Sequence, residues 1–287
     1  MPRSFAGKNR TLTAGRVSSK FRAIELFFVA HQQQLEFVQM LSSVLPQFFC
    51  GATVLEIGSL DITGSVRQFY RSCNYTGIDV APGRGVDVVC LGQDFGASDG
   101  SFDQVISCEA MEHNPSWRET FVNMIRLTKE GGIVVMTCAT HGRPEHGTTR
   151  TDPDASPLTV EKGWDYYKNL GPSDFASTFD LQKSFSSCRF WCNWSPKDLY
   201  FIGIRTTSDR QAVERFEAAI STLDKWVENQ NHGVAYQLMN MAANIGGDAG
   251  VALVGQRRIN RLIWDMESAF YRSAGFLRSF VKRNDRG

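Results

Sequence analysis

The chain has 287 residues, 42% of them hydrophobic and 21% charged, an ordinary composition for a folded protein long enough to bury a core. Lys and Arg number 31 against 30 Asp and Glu, so no global basic field points to a nucleic-acid partner. No apolar run approaches the ~18 residues of a membrane span, and a secretory h-region is missing. Seven scattered cysteines without a C-x-x-C pair read as small buried hydrophobes in a reducing compartment, so a cytoplasmic protein is expected.

In chain order, residues 1–20 read as a basic flexible tail, with no acid and with Arg3, Lys8, Arg10, Arg16 and Lys20 among Ser, Thr and Gly. The same composition suits an organellar transit segment. Phe21–Phe49 carries Leu26, Phe27, Leu35, Phe37, Val38, Leu41 and Leu45 at mostly helical spacing, which predicts one or two helices before Pro46. Strands are then expected at Thr53–Ile57, Tyr75–Val80, Val86–Cys90, Phe102–Cys108 and Ile133–Cys138. Helices are expected at Ser65–Ser72 and at Ser116–Thr128, the second closed by Gly131-Gly132. Ser184–Trp191 and Leu199–Arg205 add two strands joined by a turn at Ser195-Pro196-Lys197-Asp198.

Strands alternating with helices at this pitch predict an α/β fold. The expected sheet is doubly wound, mostly parallel and seven-stranded, ending in an antiparallel hairpin. Residues 21–207 would form this domain and 208–287 a helical appendage. Its last helix has Ile259, Leu262, Ile263, Met266 and Phe270 on one stripe, with eight basic and three acidic residues from Arg257 onward. Such a helix docks on its own domain, on a second subunit in a homodimer, or on an anionic membrane surface.

In a doubly wound sheet, ligands bind beyond the carboxyl ends of the strands. The first turn there runs Glu56-Ile57-Gly58-Ser59-Leu60-Asp61-Ile62-Thr63-Gly64, and its two glycines let backbone approach a ligand. An acid at Glu56 would repel a pyrophosphate and attract a cation or donor groups. Asp79, 23 residues on and at the end of the second strand, can take both hydroxyls of a ribose. Val54-Leu55-Glu56-Ile57-Gly58, Tyr75-Thr76-Gly77-Ile78-Asp79, Ser101–Ser107 and Leu127–Val135 together resemble four successive segments of the class I S-adenosylmethionine-dependent methyltransferases. The resemblance spans about Thr53–Arg205. It implies a Rossmann-like fold, S-adenosylmethionine as cofactor, and a cofactor site that includes Glu56, Gly58, Ser59, Gly64, Asp79 and Glu109. Two departures stand out. Leu60 and Ile62 occupy places where that family has loop glycines, and Cys90-Leu91-Gly92 stands where an acid would meet the adenine, so Asp94 is the expected substitute.

After the fourth strand comes Glu109-Ala110-Met111-Glu112-His113, whose offsets of three and four put both acids and the imidazole on one side of a turn. One reading makes His113 a general base near its ordinary pKa of about 6.5. The other notes that Glu-x-x-Glu-His is similar to the metal-binding motif of the ubiquinone-biosynthesis and small-RNA 2′-O-methyltransferases. That similarity implies that Glu109, Glu112, His113 and a further ligand would hold Mg²⁺ or another divalent cation to activate a hydroxyl. His146 in the loop Thr140–Gly147 is the expected further ligand or base partner.

The long connection 139–180 carries Arg143, Arg150, Trp164, Tyr166, Tyr167, Lys168 and Asn169, whose aromatics either line an acceptor pocket or form a small satellite core under the loop, and Trp117 at the opposite lip has the same two readings. Its arginines, Arg143 and Arg150, either hold an acceptor carboxylate or phosphate or are simply solvated. The expected reaction is O-methylation of a small molecule or saccharide, with His113, Glu112 and His146 on the acceptor side. N-methylation and a methyltransferase fold used as a scaffold without turnover are the alternatives. A nucleic-acid acceptor is disfavoured by the neutral net charge.

Overall fold

The computed structural model describes residues 29–230. The tail over 1–20 and the basic stripe after Arg257 lie outside the described residues. Helix α1 (Val29–Val44) precedes strand β1 (Thr53–Ile57). Then come β2 (Asn74–Asp79), β3 (Val88–Val89), β4 (Phe102–Cys108), α2 (Trp117–Leu127) and β5 (Thr128–Ala139). Three short helices follow, α3 (Pro157–Glu161), α4 (Pro172–Ala176) and α5 (Leu181–Ser184). The hairpin β6 (Phe185–Asn193) and β7 (Asp198–Arg205) leads into α6 (Arg210–Gln230).

The seven strands form one sheet in the order β3-β2-β1-β4-β5-β7-β6, parallel as far as β5, with β7 antiparallel to both its neighbours. This is the Rossmann-like methyltransferase fold expected from the strand pattern. Side chains alternate across the sheet because the strand period is two. Ile133 and Val135 face α1 and α6 with Val54, Ile106, Tyr200 and Ile202. Val134, Met136 and Cys138 face α2 with Leu55, Val105 and Phe201. The first layer is closed by Phe37 of α1, which stacks on Tyr200 at 4.3 Å.

Helix α6 begins just after the expected boundary at 207. It buries Phe216, Ala219, Ile220, Leu223 and Val227 in the same core as α1. Asp224 holds it to the sheet, accepting hydrogen bonds from Arg189 and from the Trp191 indole. No helix among the described residues is long and apolar enough to cross a membrane.

Three elements differ from expectation. The helix predicted at Ser65–Ser72 is only a 3-10 turn, Val66–Phe69, with Val66 its single buried residue. Val66 and the half-buried Phe69 pack on the same core as α1, and so little buried apolar surface does not sustain a longer helix. The predicted strand Val86–Cys90 shrinks to the two-residue sheet edge of β3. Gly131-Gly132 does not close α2, which ends at Leu127; instead the segment after Thr128 bulges, so that Gln104 pairs with Ile133 only two positions after Phe102 pairs with Thr128.

Candidate active site

The loop after β1 turns on Gly58, whose φ is +81° and whose absent Cβ would lie 2.5 Å from that of Ala110. A side chain there would be strained and would collide with the loop after β4, so the position requires glycine. Gly58 and Ser59 donate their amides to the Ile78 carbonyl of β2. Leu60 donates to Asp79 Oδ2 at 3.0 Å, and Val80 to Oδ1 at 2.7 Å. A carboxylate has about four acceptor sites, so Asp79 retains capacity for two ribose hydroxyls. Burial raises its pKa, against the pull of those two amides. Asp61 folds the rest of the loop by accepting the Gly64 amide, and Arg84 clasps Asp61 from the β2–β3 connection. Here glycine–amide geometry does what Leu60 and Ile62 cannot.

Glu56 is buried beneath this loop and accepts a hydrogen bond from the Tyr75 hydroxyl at 2.8 Å. Burial raises its pKa from 4.5 to about 7, against the lowering effects of Tyr75 and Arg67. Ser59 Oγ is buried nearby without a hydrogen-bond partner. An acid poised near neutrality, an unsatisfied hydroxyl and a ribose-type carboxylate fit an adenosyl ligand carrying positive charge. Asp94, the expected adenine contact, ends the 3-10 turn Gly92–Asp94 and is exposed. Its neighbour Gln93 points inward and accepts from Thr120.

Beyond β4 the chain enters a different environment. Glu109 has a left-handed backbone, φ +51°, unusual for a residue with a Cβ. Met111–His113 follows as a 3-10 turn in which all three residues are buried. Glu112 is 0% exposed and His113 3%. Glu112 Oε1 accepts the Ala139 amide at 3.0 Å, while Oε2 is buried without a partner, as is His113 Nδ1. One candidate ligand atom from each of Glu112, His113 and His146 lies within 4.8 Å of the others. The His113 and His146 rings meet edge to face at 5.0 Å, and Tyr167 packs against both, at 5.5 and 4.9 Å. His146 Nδ1 lies 3.0 Å from the Pro144 carbonyl, which can only accept, so that contact is made by a protonated Nδ1.

Burial, then His146 and Arg143, hold the His113 pKa well below the usual histidine value. Burial, reinforced by Glu109, pushes Glu112 well above the carboxylate range. At neutral pH His113 is therefore an uncharged imidazole with a lone pair to offer.

Glu109 does not join this trio. Its Oε2 accepts from Arg143 Nη1 at 2.9 Å, and the same nitrogen donates to Asp198 Oδ1. The three side chains are 12%, 9% and 0% exposed for Arg143, Glu109 and Asp198. Burial works against the Arg143 charge, but Asp198 and Glu109 hold its proton more firmly than water would. Arg150 is likewise taken, by Glu145 and Asp165. Neither arginine is therefore set aside for an acceptor carboxylate or phosphate. Trp117 is fully buried against Phe175 and Phe179, a core residue rather than a lip of the site. Asp198 and Tyr75 carry roles the sequence reading missed. An acid directly before the apolar run Leu199–Ile204 was the one available signal for Asp198.

Residues 55–136 match the sequence model of a methyltransferase domain. No curated protein sequence matches the chain. Solved structures of similar outline include the 1,6-didemethyltoxoflavin-N1-methyltransferase of Burkholderia thailandensis, solved with 1,6-didemethyltoxoflavin and S-adenosylhomocysteine. It is 11% identical, with 68% of this chain and 94% of that one covered, at a TM-score of 0.43. Another is the phosphoethanolamine N-methyltransferase 2 of Haemonchus contortus, 12% identical, covering 66% of this chain and 58% of that one, at a TM-score of 0.42. Likeness at this level says nothing of substrate. The family match, by contrast, runs from Leu55 in β1 to Met136 in β5 and so takes in Gly58, Asp79 and the turn at Glu112-His113. It identifies residues 55–136 as a methyltransferase domain.

Proposed function

We propose that the enzyme methylates a hydroxyl oxygen of a small molecule or saccharide and that His113 takes the hydroxyl proton. The observation that carries this reading is the trio of buried Glu112 and His113 with half-buried His146, its ligand atoms within 4.8 Å of one another at the carboxyl end of β4 and β5. S-adenosylmethionine brings an already activated methyl group on its sulfonium, so the protein's task is to position and deprotonate a nucleophile. Neutral His113 accepts the proton as the oxygen–carbon bond forms. The carbon–sulfur bond breaks with its electron pair returning to sulfur. Glu112, held by the Ala139 amide, and His146 beside it orient the hydroxyl. An amine acceptor would need only the same proton acceptor, so N-methylation is the contrast to test.

A divalent cation is the second reading, favoured by the same trio. Glu112 Oε2 and His113 Nδ1 are buried polar atoms in want of a partner, and a ring nitrogen of His146 lies within 4.8 Å of the other candidate ligand atoms. One carboxylate and two imidazoles suit Mn²⁺, Co²⁺ or Zn²⁺ better than the oxygen-loving Mg²⁺. With Glu109 engaged by Arg143, the four-ligand set implied by the Glu-x-x-Glu-His resemblance is reduced to three. Bound there, a cation would lower the acceptor hydroxyl's pKa.

The test is methyl transfer from labelled S-adenosylmethionine to paired acceptors that differ only in hydroxyl or amine, using chelator-treated protein with and without Mn²⁺. Label on oxygen without added metal supports the base reading, and dependence on Mn²⁺ supports the cation reading. His113→Asn is expected to lower turnover about 10²–10⁴-fold. Label on nitrogen alone would overturn O-methylation.

A further inference from the structure

His146 reaches the trio from a segment with its own internal architecture. Gly147 donates its amide to the Asp152 carbonyl, and Thr148 and Thr151 pair across the turn between them. Gly147 has φ +63°, and a Cβ there would lie 2.6 Å from His113 Cε1 and 2.6 Å from Ser156 Cβ, so the bare backbone is seated on the His113 ring. Arg150 braces the outer side of this turn. Arg150 donates through Nε and Nη2 to Glu145 Oε1, at 3.0 and 2.7 Å, and through Nη1 to Asp165 Oδ2. The Thr148 hydroxyl bonds the same Glu145 oxygen, and the Thr149 amide bonds Asp165 Oδ1. One guanidinium thus ties the residue before His146 to the residue two before Tyr167, the two rings that flank His113.

We infer that Arg150 is a positioning residue whose fork between Glu145 and Asp165 closes the 145–165 strap over His113 and sets the His146 ring beside it. It touches neither ring. Its effect travels through Glu145 to His146 and through Asp165 to Tyr167. The planar fork matters because it serves two carboxylates at once, which a lysine ammonium on a flexible stem does poorly. Arg150 is 42% exposed, so the latch is accessible to water and salt and can open without disturbing the core. The inference rests on the proposed function only in taking His113 and His146 as the acceptor-side pair.

The experiment is histidine-ring NMR of the full chain, with signals assigned by single replacement, comparing wild type with Arg150→Ala, Arg150→Lys and Asp165→Asn. In wild type the His146 ring protons carry the shifts imposed by Tyr167 and His113. In Arg150→Ala they are expected to move to exposed-imidazole values and the His113 signals to shift. The unfolding temperature and S-adenosylhomocysteine affinity should stay at wild-type values. Arg150→Lys should fall between, and 1 M salt should move wild type the same way. Asp165→Asn keeps an acceptor for the Thr149 amide, loses the charge, and should reproduce part of the shift even if Arg150→Ala folds poorly. Unchanged His146 signals in Arg150→Ala and Asp165→Asn would overturn the inference. Manganese titration separates it from the function: a ~10-fold weaker affinity in Arg150→Ala fits a strap that orients a ligand. Displaced rings with no manganese binding in either protein would leave the strap standing and remove the cation.

Discussion

The two loop clusters at the carboxyl end of the sheet solve opposite problems. Around Gly58, Asp79 and Arg84 the contacts are mostly main-chain amides, and the ion pair Arg84–Asp61 is 67% and 22% exposed. Around Glu109, Arg143 and Asp198 the contacts are side-chain charges withdrawn from water. The first arrangement suits a ligand recognised by shape and by a few hydrogen bonds. The second suits chemistry, because a low-dielectric setting moves proton affinities far from their ordinary values. The same sheet edge thus carries a screened half and an unscreened half, and a charge removed from each should cost very different amounts.

The largest effect is expected at Arg143. Replacing it with Met leaves Glu109 and Asp198 buried without their cation, a loss of ~3–5 kcal/mol by denaturant midpoint. Next is the pH response of Glu56. Because folding raises its pKa from 4.5 to about 7, its stabilising contribution is complete below about pH 4.5 and is lost as pH rises through about 7. Glu56→Gln should therefore gain about 2–3 kcal/mol on wild type between pH 5 and pH 8, read by unfolding at each pH. Tyr75→Phe removes the hydroxyl bound to Glu56 and should cost about 1–3 kcal/mol, more at pH 8 than at pH 5, where Glu56 is protonated. Smallest is Arg84→Ala, where an exposed pair is worth under ~1 kcal/mol. Equal losses at Arg84 and Arg143 would erase the distinction between the two halves.

Strands β1 and β4 lie residue for residue where β-branched runs predict them, because both are central and buried on two faces. The edge strand β3 was overestimated, since Val88 and Val89 are 42% and 53% exposed and little holds a longer ladder there. The clustering of Glu112, His113 and His146 is legible in the sequence because Glu112 and His113 share one motif and His146 lies in the loop after β5. Arg143 was not, because its partner Asp198 is 55 residues away. That pairing is created by the antiparallel register that sets Ala139 opposite Asp198. No local pattern encodes a register between two strands separated by the 58 residues 140–197. The same holds for Tyr75 and Glu56, joined only because β1 and β2 are neighbours.

The most direct test of this division is calorimetric titration of S-adenosylhomocysteine into wild type, Asp79→Ala and His113→Asn. The account predicts saturable one-to-one binding to wild type, a loss of about tenfold or more in Asp79→Ala, where ribose hydrogen bonds worth about 1–1.5 kcal/mol or more disappear, and near-wild-type affinity in His113→Asn. No binding to wild type, or an equal loss in both variants, would contradict it.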